Sequence, residues 1–264
     1  MATGEIKSEP SSLLLAWSGN HLQWLQCRNL TVLRCDTLPV TDVEGLRKAL
    51  AELKSDFPAI QSVQFASNLP YFSLAPARVS SGMEEALQAL HLGTDEADSL
   101  PFYTEAFGEE AALIERDITG YQKQVEAFWP QAKRVSIALV FLETVILETR
   151  KHDKPGCIAV HVGHERALMS LFANGQLLWS MTTDDVAGDG ILYHVVNAMN
   201  RHELKDDLDM EVWFSGQLDE EGELVQRFGR FFERVVVKKP SVEWAEEPQA
   251  AQHWNALANL LPCE

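Results

Sequence analysis

Apolar residues near the start of the chain fall in short blocks separated by turn formers. Leu13 to Ala16 is apolar at consecutive positions, the pattern of a strand buried on both faces. Ser18-Gly19-Asn20 is a turn, and His21 to Cys27 brings Leu22 and Trp24 to one face of a second strand. Arg28-Asn29 turns again before a third strand, Leu30 to Cys35. The pattern then changes to helical. Thr41 with Glu44 has capping-box spacing, and Leu46, Ala49, Leu50, Leu53 and Phe57 recur at helical intervals until Pro58. Ser62 to Ala66 predicts a strand, Pro70 to Pro76 an extended segment, and Ser80 to Leu90 a helix. Phe102 to Ala106 and Ala111 to Ile114 read as short strands, and Thr119 to Trp129 as a helix ended by Pro130. Arg134 to Ala138 predicts a strand and Leu139 to Leu147 a helix.

The same order restarts after Lys151 to Gly156, which has the composition of a linker. Ile158 to Val162 is a buried strand, Gly163-His164 a turn, and Arg166 to Phe172 a second strand. Asn174-Gly175 is a strong hairpin signal and leads into Gln176 to Met181. A helix from about Ala187 to Arg201 carries Ile191, Leu192, Val195, Val196 and Met199 on one face. Met210 to Phe214 is a strand, Leu218 to Phe231 a helix, and Val235 to Val237 a last strand. In register, Ala16-Trp17-Ser18-Gly19 sits like Val160-His161-Val162-Gly163. The expected architecture is α/β: two lobes, 12–150 and 151–240, each with an antiparallel three-strand meander flanked by helices in a mixed sheet. Residues 1–11 are expected to be a flexible N-terminus, and 241–264 a helical tail carrying Trp254, Leu257 and Leu261. That stripe either docks on the second lobe, the favoured reading, or reaches a partner.

Composition narrows the function. The 264 residues carry 22 Lys and Arg against 39 Asp and Glu, a formal charge of −17. Such a surface repels phosphate backbones and anionic membranes, so neither nucleic acid nor a membrane is an expected partner. No run of about 18 uncharged apolar residues occurs, and Leu13 to Trp17 is too short for a signal core. A cytoplasmic address is the expectation, and the sequon at Asn29 then carries no meaning. Cys27, Cys35, Cys157 and Cys263 are dispersed, with no Cys-x-x-Cys pair, and read as free thiols.

Three segments carry a resemblance: Leu69 to Val79, Asp184 to Val195, and Val212 to Gly216 with the helix after it. Together with the repeated meander, they resemble a bacterial family of the actin-like ATPase superfamily, which also holds sugar kinases and the heat-shock seventy chaperones. That family has no established activity. In active members of the superfamily each meander opens with Asp-x-Gly, in which the glycine lets backbone N–H groups approach phosphate and the aspartate holds Mg²⁺ or water. Here Gly19 and Gly163 are present, but the aspartate positions read as Trp17 and His161. Tryptophan cannot ligate Mg²⁺ and its bulk would fill the phosphate site. Histidine is a poor ligand for so hard a cation.

Asn20-His21 and His164-Glu165 replace the small hydroxyl residues that usually follow the glycine, and Glu165 would repel phosphate. Of the paired glycines that end the adenosine-binding strand, Gly216 alone remains. Gly188-Asp189-Gly190 could form a phosphate loop at a helix mouth, although its carboxylate opposes that use. No P-loop, Gly-x-Ser-x-Gly or His-Glu-x-x-His is present. His161-x-x-His164 lacks an evident third ligand, so no metal is expected. The leading expectation is an inactive actin-like scaffold or adaptor with an unidentified protein partner and no cofactor. The alternative is a nucleotide sensor or ATP-dependent enzyme with an altered cleft lined by Gly19, His161, Gly163, Asp189 and Gly216.

Overall fold

Strands β1 (Ser11–Trp17), β2 (His21–Arg28) and β3 (Thr31–Pro39) form the first meander, followed by α1 (Val43–Asp56) and β4 (Ile60–Ser67). A computed structural model describes residues 11–76, 102–108, 111–116, 120–151, 156–204 and 210–261. β5 (Phe72–Pro76), β6 (Phe102–Phe107) and β7 (Ala111–Arg116) make a small antiparallel sheet in the order β5-β7-β6. The first lobe then closes with α2 (Tyr121–Phe128), β8 (Lys133–Arg134) and α3 (Ile137–Lys151). The second lobe runs β9 (Gly156–Val162), β10 (Ala167–Ala173), β11 (Gln176–Thr183), α4 (Gly188–Arg201), β12 (Met210–Gly216), α5 (Glu223–Phe228) and β13 (Arg234–Val237). After it come β14 (Glu243–Trp244), a 3-10 turn at Ala251–Trp254 and α6 (Asn255–Ala258).

The two large sheets share one strand order. The first is β3-β2-β1-β4-β8, with β14 added outside β3, and the second is β11-β10-β9-β12-β13. β4 and β12 run parallel to β1 and β9, while each meander is antiparallel. β1 and β9 are the central strands, and helices cover both faces of each. This is why their sequences are apolar at consecutive positions instead of alternating. Leu13, Leu15 and Trp17 pack outward with Leu46 and Leu50 of α1 and Tyr121 and Val125 of α2. Ile158, Val160 and Val162 pack outward with Ile191 and Val195 of α4 and Phe228 of α5. Between the sheets lies a third cluster built from Leu14, Ala16, Cys157 and Ala159, from Phe141, Leu142 and Val145 of α3, and from Trp254, Leu257 and Leu261. The C-terminal stripe is therefore buried between the lobes.

The hairpin registers correct the sequence pairing of the two meanders. Trp17 lies opposite Leu22 and Val162 opposite Ala167, so residues 18–21 and 163–166 are equivalent turns. Asn29 and Asn174 open the second turns with φ of 53° and 52°. Trp17 therefore corresponds to Val162, and His161 to Ala16, one residue away from the pairing read along the chain. Both members of each pair now sit on the same face of their sheets.

Some elements begin elsewhere than expected. Asp42, not Thr41, caps α1, its carboxylate accepting from the Gly45 N–H at 2.7 Å. β8 is two residues long because Ser136 starts α3, its hydroxyl accepting from the Leu139 N–H at 2.9 Å. α5 begins only at Glu223, after a turn closed by the Gly222 N–H on the Asp219 carbonyl at 2.9 Å. The expected helix at 80–90, most of the N-terminal segment, the centre of the linker and Cys263 lie outside the described residues. Cys27 and Cys35 are free thiols, and burial, with the nearby Cys35, pushes Cys27 up to about 12. Among the described residues no helix is long and apolar enough to cross a membrane.

Candidate functional site

The two first turns of the meanders meet at the mouth between the lobes. In residues 18–21 the Ser18 N–H donates to the His21 carbonyl at 3.0 Å, and the His21 N–H returns to the Ser18 hydroxyl at 3.0 Å. Gly19 supplies the positive φ of 101° that this turn requires. In residues 163–166 the Gly163 N–H donates to the Arg166 carbonyl at 2.7 Å. Across the mouth the Asn20 amide donates to the Glu165 carboxylate, and the His21 and His164 rings stack with centroids 4.1 Å apart and planes 20° apart.

A strap from the end of β4 seals the mouth beside these turns. Leu69 is 2 % exposed with φ of 50°, and a Cβ on Gly163 would stand 2.6 Å from its Cδ1. The Pro70 carbonyl accepts from the Thr182 hydroxyl at 3.1 Å. The Tyr71 hydroxyl donates to Asp184, whose other oxygen takes the Arg166 Nε at 3.0 Å, and the Arg166 guanidinium lies 4.3 Å from the Tyr71 ring centroid. The Tyr71 hydroxyl and Arg166 hold the Asp184 carboxyl below its usual range, while burial and Asp184 raise Tyr71. What remains between the turns is a cavity of about 10 Å³, lined by Ser18, Asn68, Leu69, Gly163, His164, Glu165 and Arg166. That is room for one water at most.

Of the residues singled out along the chain, His161, Gly163 and Gly216 lie at the adjacent ends of β9 and β12, the turn of Gly19 meets that of Gly163, and Asp189 is held toward α5. Gly19 and Gly163 flank the closed mouth. His161 lies beneath it on β9, 4 % exposed, its Nδ1 2.9 Å from the Ser215 hydroxyl of β12. Burial, and to a lesser extent the charge of His253, lowers His161 to about 4, so it is neutral at pH 7. Gly216 pairs with Val162 at φ of 95°, where a Cβ would overlap the Val162 carbonyl oxygen. Its place is fixed by backbone packing. Asp189 at the start of α4 is ion-paired with Arg227 of α5, which also meets Glu223 at 2.6 Å.

Trp17 does not fill the cleft, which corrects the expectation drawn from its bulk. It points to the outer core, donates its indole N–H to the Val40 carbonyl at 3.0 Å and meets Tyr121 edge-on at 5.4 Å. The position equivalent to His161 is held by Ala16, so neither meander presents a carboxylate there. His161 and His164 face different surroundings. Among the described residues no group of three His, Cys, Asp or Glu could hold a metal. Tyr71, Arg166 and Asp184 form a clasp that the sequence reading missed, although two of the segments that carried the resemblance supply Tyr71 and Asp184.

No family model and no curated protein matches the chain at the level of sequence. Solved structures do. Over 100 % of both chains, with TM-score 0.72 and 14 % identity, it is similar to a Bacteroides thetaiotaomicron protein of actin-like ATPase fold and unknown function. The chain has the actin-like ATPase fold. It is also similar to a chain of the PilM–PilN type IV pilus biogenesis complex (TM-score 0.55, 14 % identity, covering 94 % of this chain and 96 % of that one). A third similar structure is the cytoplasmic domain of EpsL, an inner membrane component of the Vibrio cholerae type II secretion system (TM-score 0.52, 12 % identity, 96 % of both).

Proposed function

We propose that this is a catalytically inactive actin-like protein that serves as an intracellular scaffold or adaptor for a protein partner. One observation carries the reading. The mouth where the superfamily's two phosphate turns face each other is filled by the chain's own side chains, leaving about 10 Å³. A nucleotide would have to break the Asn20–Glu165 bond, unstack His21 from His164 and displace Leu69. It would then meet the Glu165 carboxylate and find Ala16 and His161 where Mg²⁺ needs oxygen ligands.

The similar structures support a partner by analogy of fold: PilM stands in a complex with PilN, and EpsL is a component of a secretion system. A charge of −17 argues for protein over nucleic acid or an anionic membrane as the partner, and a cytoplasmic address belongs to the same proposal. The lobes in this proposal are 12–150 and 151–240, with Trp254, Leu257 and Leu261 of the tail packed between them. Calorimetric titration with ATP and ADP, with and without Mg²⁺, tests the proposal. No heat and no shift in melting temperature up to millimolar nucleotide is the expected result. Micromolar binding independent of Mg²⁺ would replace it with a nucleotide-gated protein whose mouth opens.

A further inference from the structure

A second cavity, larger than the one at the mouth, lies away from it. It measures about 290 Å³ and lies on the seam where α3, β12 and α6 meet. Its construction differs between the lobes. In the first, residues 135–136 join β8 directly to α3. In the second, residues 238–250 separate β13 from the 3-10 turn and cross to the first sheet, where β14 pairs with β3 through Glu243–Thr31 and Trp244–Val32. The start of this crossing, from Lys238 to Val242, walls the cavity. Phe141 and Val145 of α3, Trp213 of β12 and Leu261 supply buried apolar walls, and the exposed Leu30 and Leu147 stand at its rim. Apolar walls of this extent hold water poorly and favour an apolar guest.

The charges are placed differently from those of the whole protein. Lys238, Lys239 and Glu148 are the charged residues of the lining, a local excess of one positive charge on a chain of −17. Lys238 Nζ lies 2.9 Å from Glu148 Oε2 and 4.0 Å from the Trp213 ring centroid. An ammonium carries three N–H donors, so one carboxylate does not saturate it. Lys239 is half exposed and meets Glu220, outside the lining, at 3.0 Å. The Trp213 indole donates to Glu211, also outside the lining, at 2.8 Å.

We propose that this cavity binds a small monocarboxylate with an apolar body, the body against Phe141, Val145 and Trp213 and the carboxylate beside Lys238. The site is separate from the closed mouth and does not depend on the scaffold reading. A ligand there would touch both lobes and the crossing segment at once.

Calorimetry with decanoate, decanol and decyltrimethylammonium on the full chain tests the proposal. Decanoate is expected to bind one-to-one and raise the melting temperature, with decyltrimethylammonium at least about tenfold weaker. Lys238→Met is expected to weaken decanoate about tenfold and leave decanol unchanged. Thr144→Phe, at a half-buried lining position, is expected to abolish both. Equal binding of the three probes, decanoate affinity unchanged in both variants, or no binding at all with the protein folded would each overturn the proposal. The last result would leave the cavity to a side chain of a protein partner.

Discussion

The His164 ring lies nearly parallel to the His21 ring, and the two belong to the equivalent first turns of opposite lobes. The stack brings the two turns into direct contact. Burial, then the neighbouring His21 and His253, lowers His164, while Glu165 acts in the opposite direction. Together with Asn20–Glu165 it joins two turns that could otherwise admit a charged ligand.

Acid should weaken the fold in a defined window. His161, His164 and His253 all take a proton less readily in the folded protein than in the unfolded chain, chiefly because of burial. Below the ordinary histidine value of 6.5 the unfolded state therefore binds more protons, and stability falls with pH. For His161, lowered to about 4, the loss between pH 7 and pH 5 comes to about 2 kcal/mol. Asp184, whose pKa is also lowered, acts in the same direction but in a lower window, its share being lost as pH falls through and below the ordinary carboxyl value of 3.8. Urea unfolding at pH 7 and pH 5 measures the drop, and His161→Gln should remove most of it.

Gly216→Ala should cost much more than Gly19→Ala. Both glycines have positive φ, of 95° and 101°. A Cβ on Gly19 meets nothing within 4 Å, so strain alone applies, on the order of 1 kcal/mol. A Cβ on Gly216 collides with the Val162 backbone at the point where β12 pairs with β9, which should add about 2 kcal/mol or more. Equal losses for the two variants in denaturant melts would contradict this assignment of Gly216 to backbone packing.

The strand–helix order was legible because block length, turn formers and helical spacing are local signals. The register between the meanders was not. Gly19 is the second residue of its turn and Gly163 the first, so pairing the glycines shifts the alignment by one. Strands buried on both faces give no alternation to correct it. Trp17 was assigned to the cleft for that reason, and its true equivalent, Val162, is an ordinary outer-core residue. The closed mouth was illegible for a different reason. Asn20 and Glu165, or Tyr71 and Asp184, become partners only across a sequence separation of more than a hundred residues. Read singly, Glu165 was a charge hostile to phosphate; paired, it is part of the seal. The tail gave Trp254, Leu257 and Leu261 as a stripe, but the 3-10 turn and the four-residue α6 are too short for periodicity to say which surface receives them.

Glu115 on β7 is 1 % exposed, accepts from the Ser136 hydroxyl and meets Arg134 of β8 at 3.3 Å. It ties the small sheet to the start of α3. Glu115→Ala removes a buried carboxylate that both Ser136 and Arg134 meet, so it should cost about 3 kcal/mol or more. Glu115→Met with Arg134→Met removes both charges and should recover much of that loss. Thermal melts of the three proteins decide, and a double variant no better than the single one would assign the cost to packing.

Leu69 and Gly163 should show compensating substitutions. Leu69 is buried against Gly163 at the mouth, so Leu69→Ala leaves a hole and should cost about 2 kcal/mol or more. Gly163→Ala places a methyl 2.6 Å from Leu69 Cδ1 and 3.1 Å from the Arg166 carbonyl oxygen, an overpacking that should cost about 1 kcal/mol or more. In the double variant the new methyl enters the space that Leu69 vacates. The summed loss should therefore exceed the measured one by about 1 kcal/mol, a coupling expected only for residues in contact. A double-mutant cycle by urea unfolding provides the number. Strict additivity would mean that the lobes already separate at this point in solution, which would reopen the mouth to ligands.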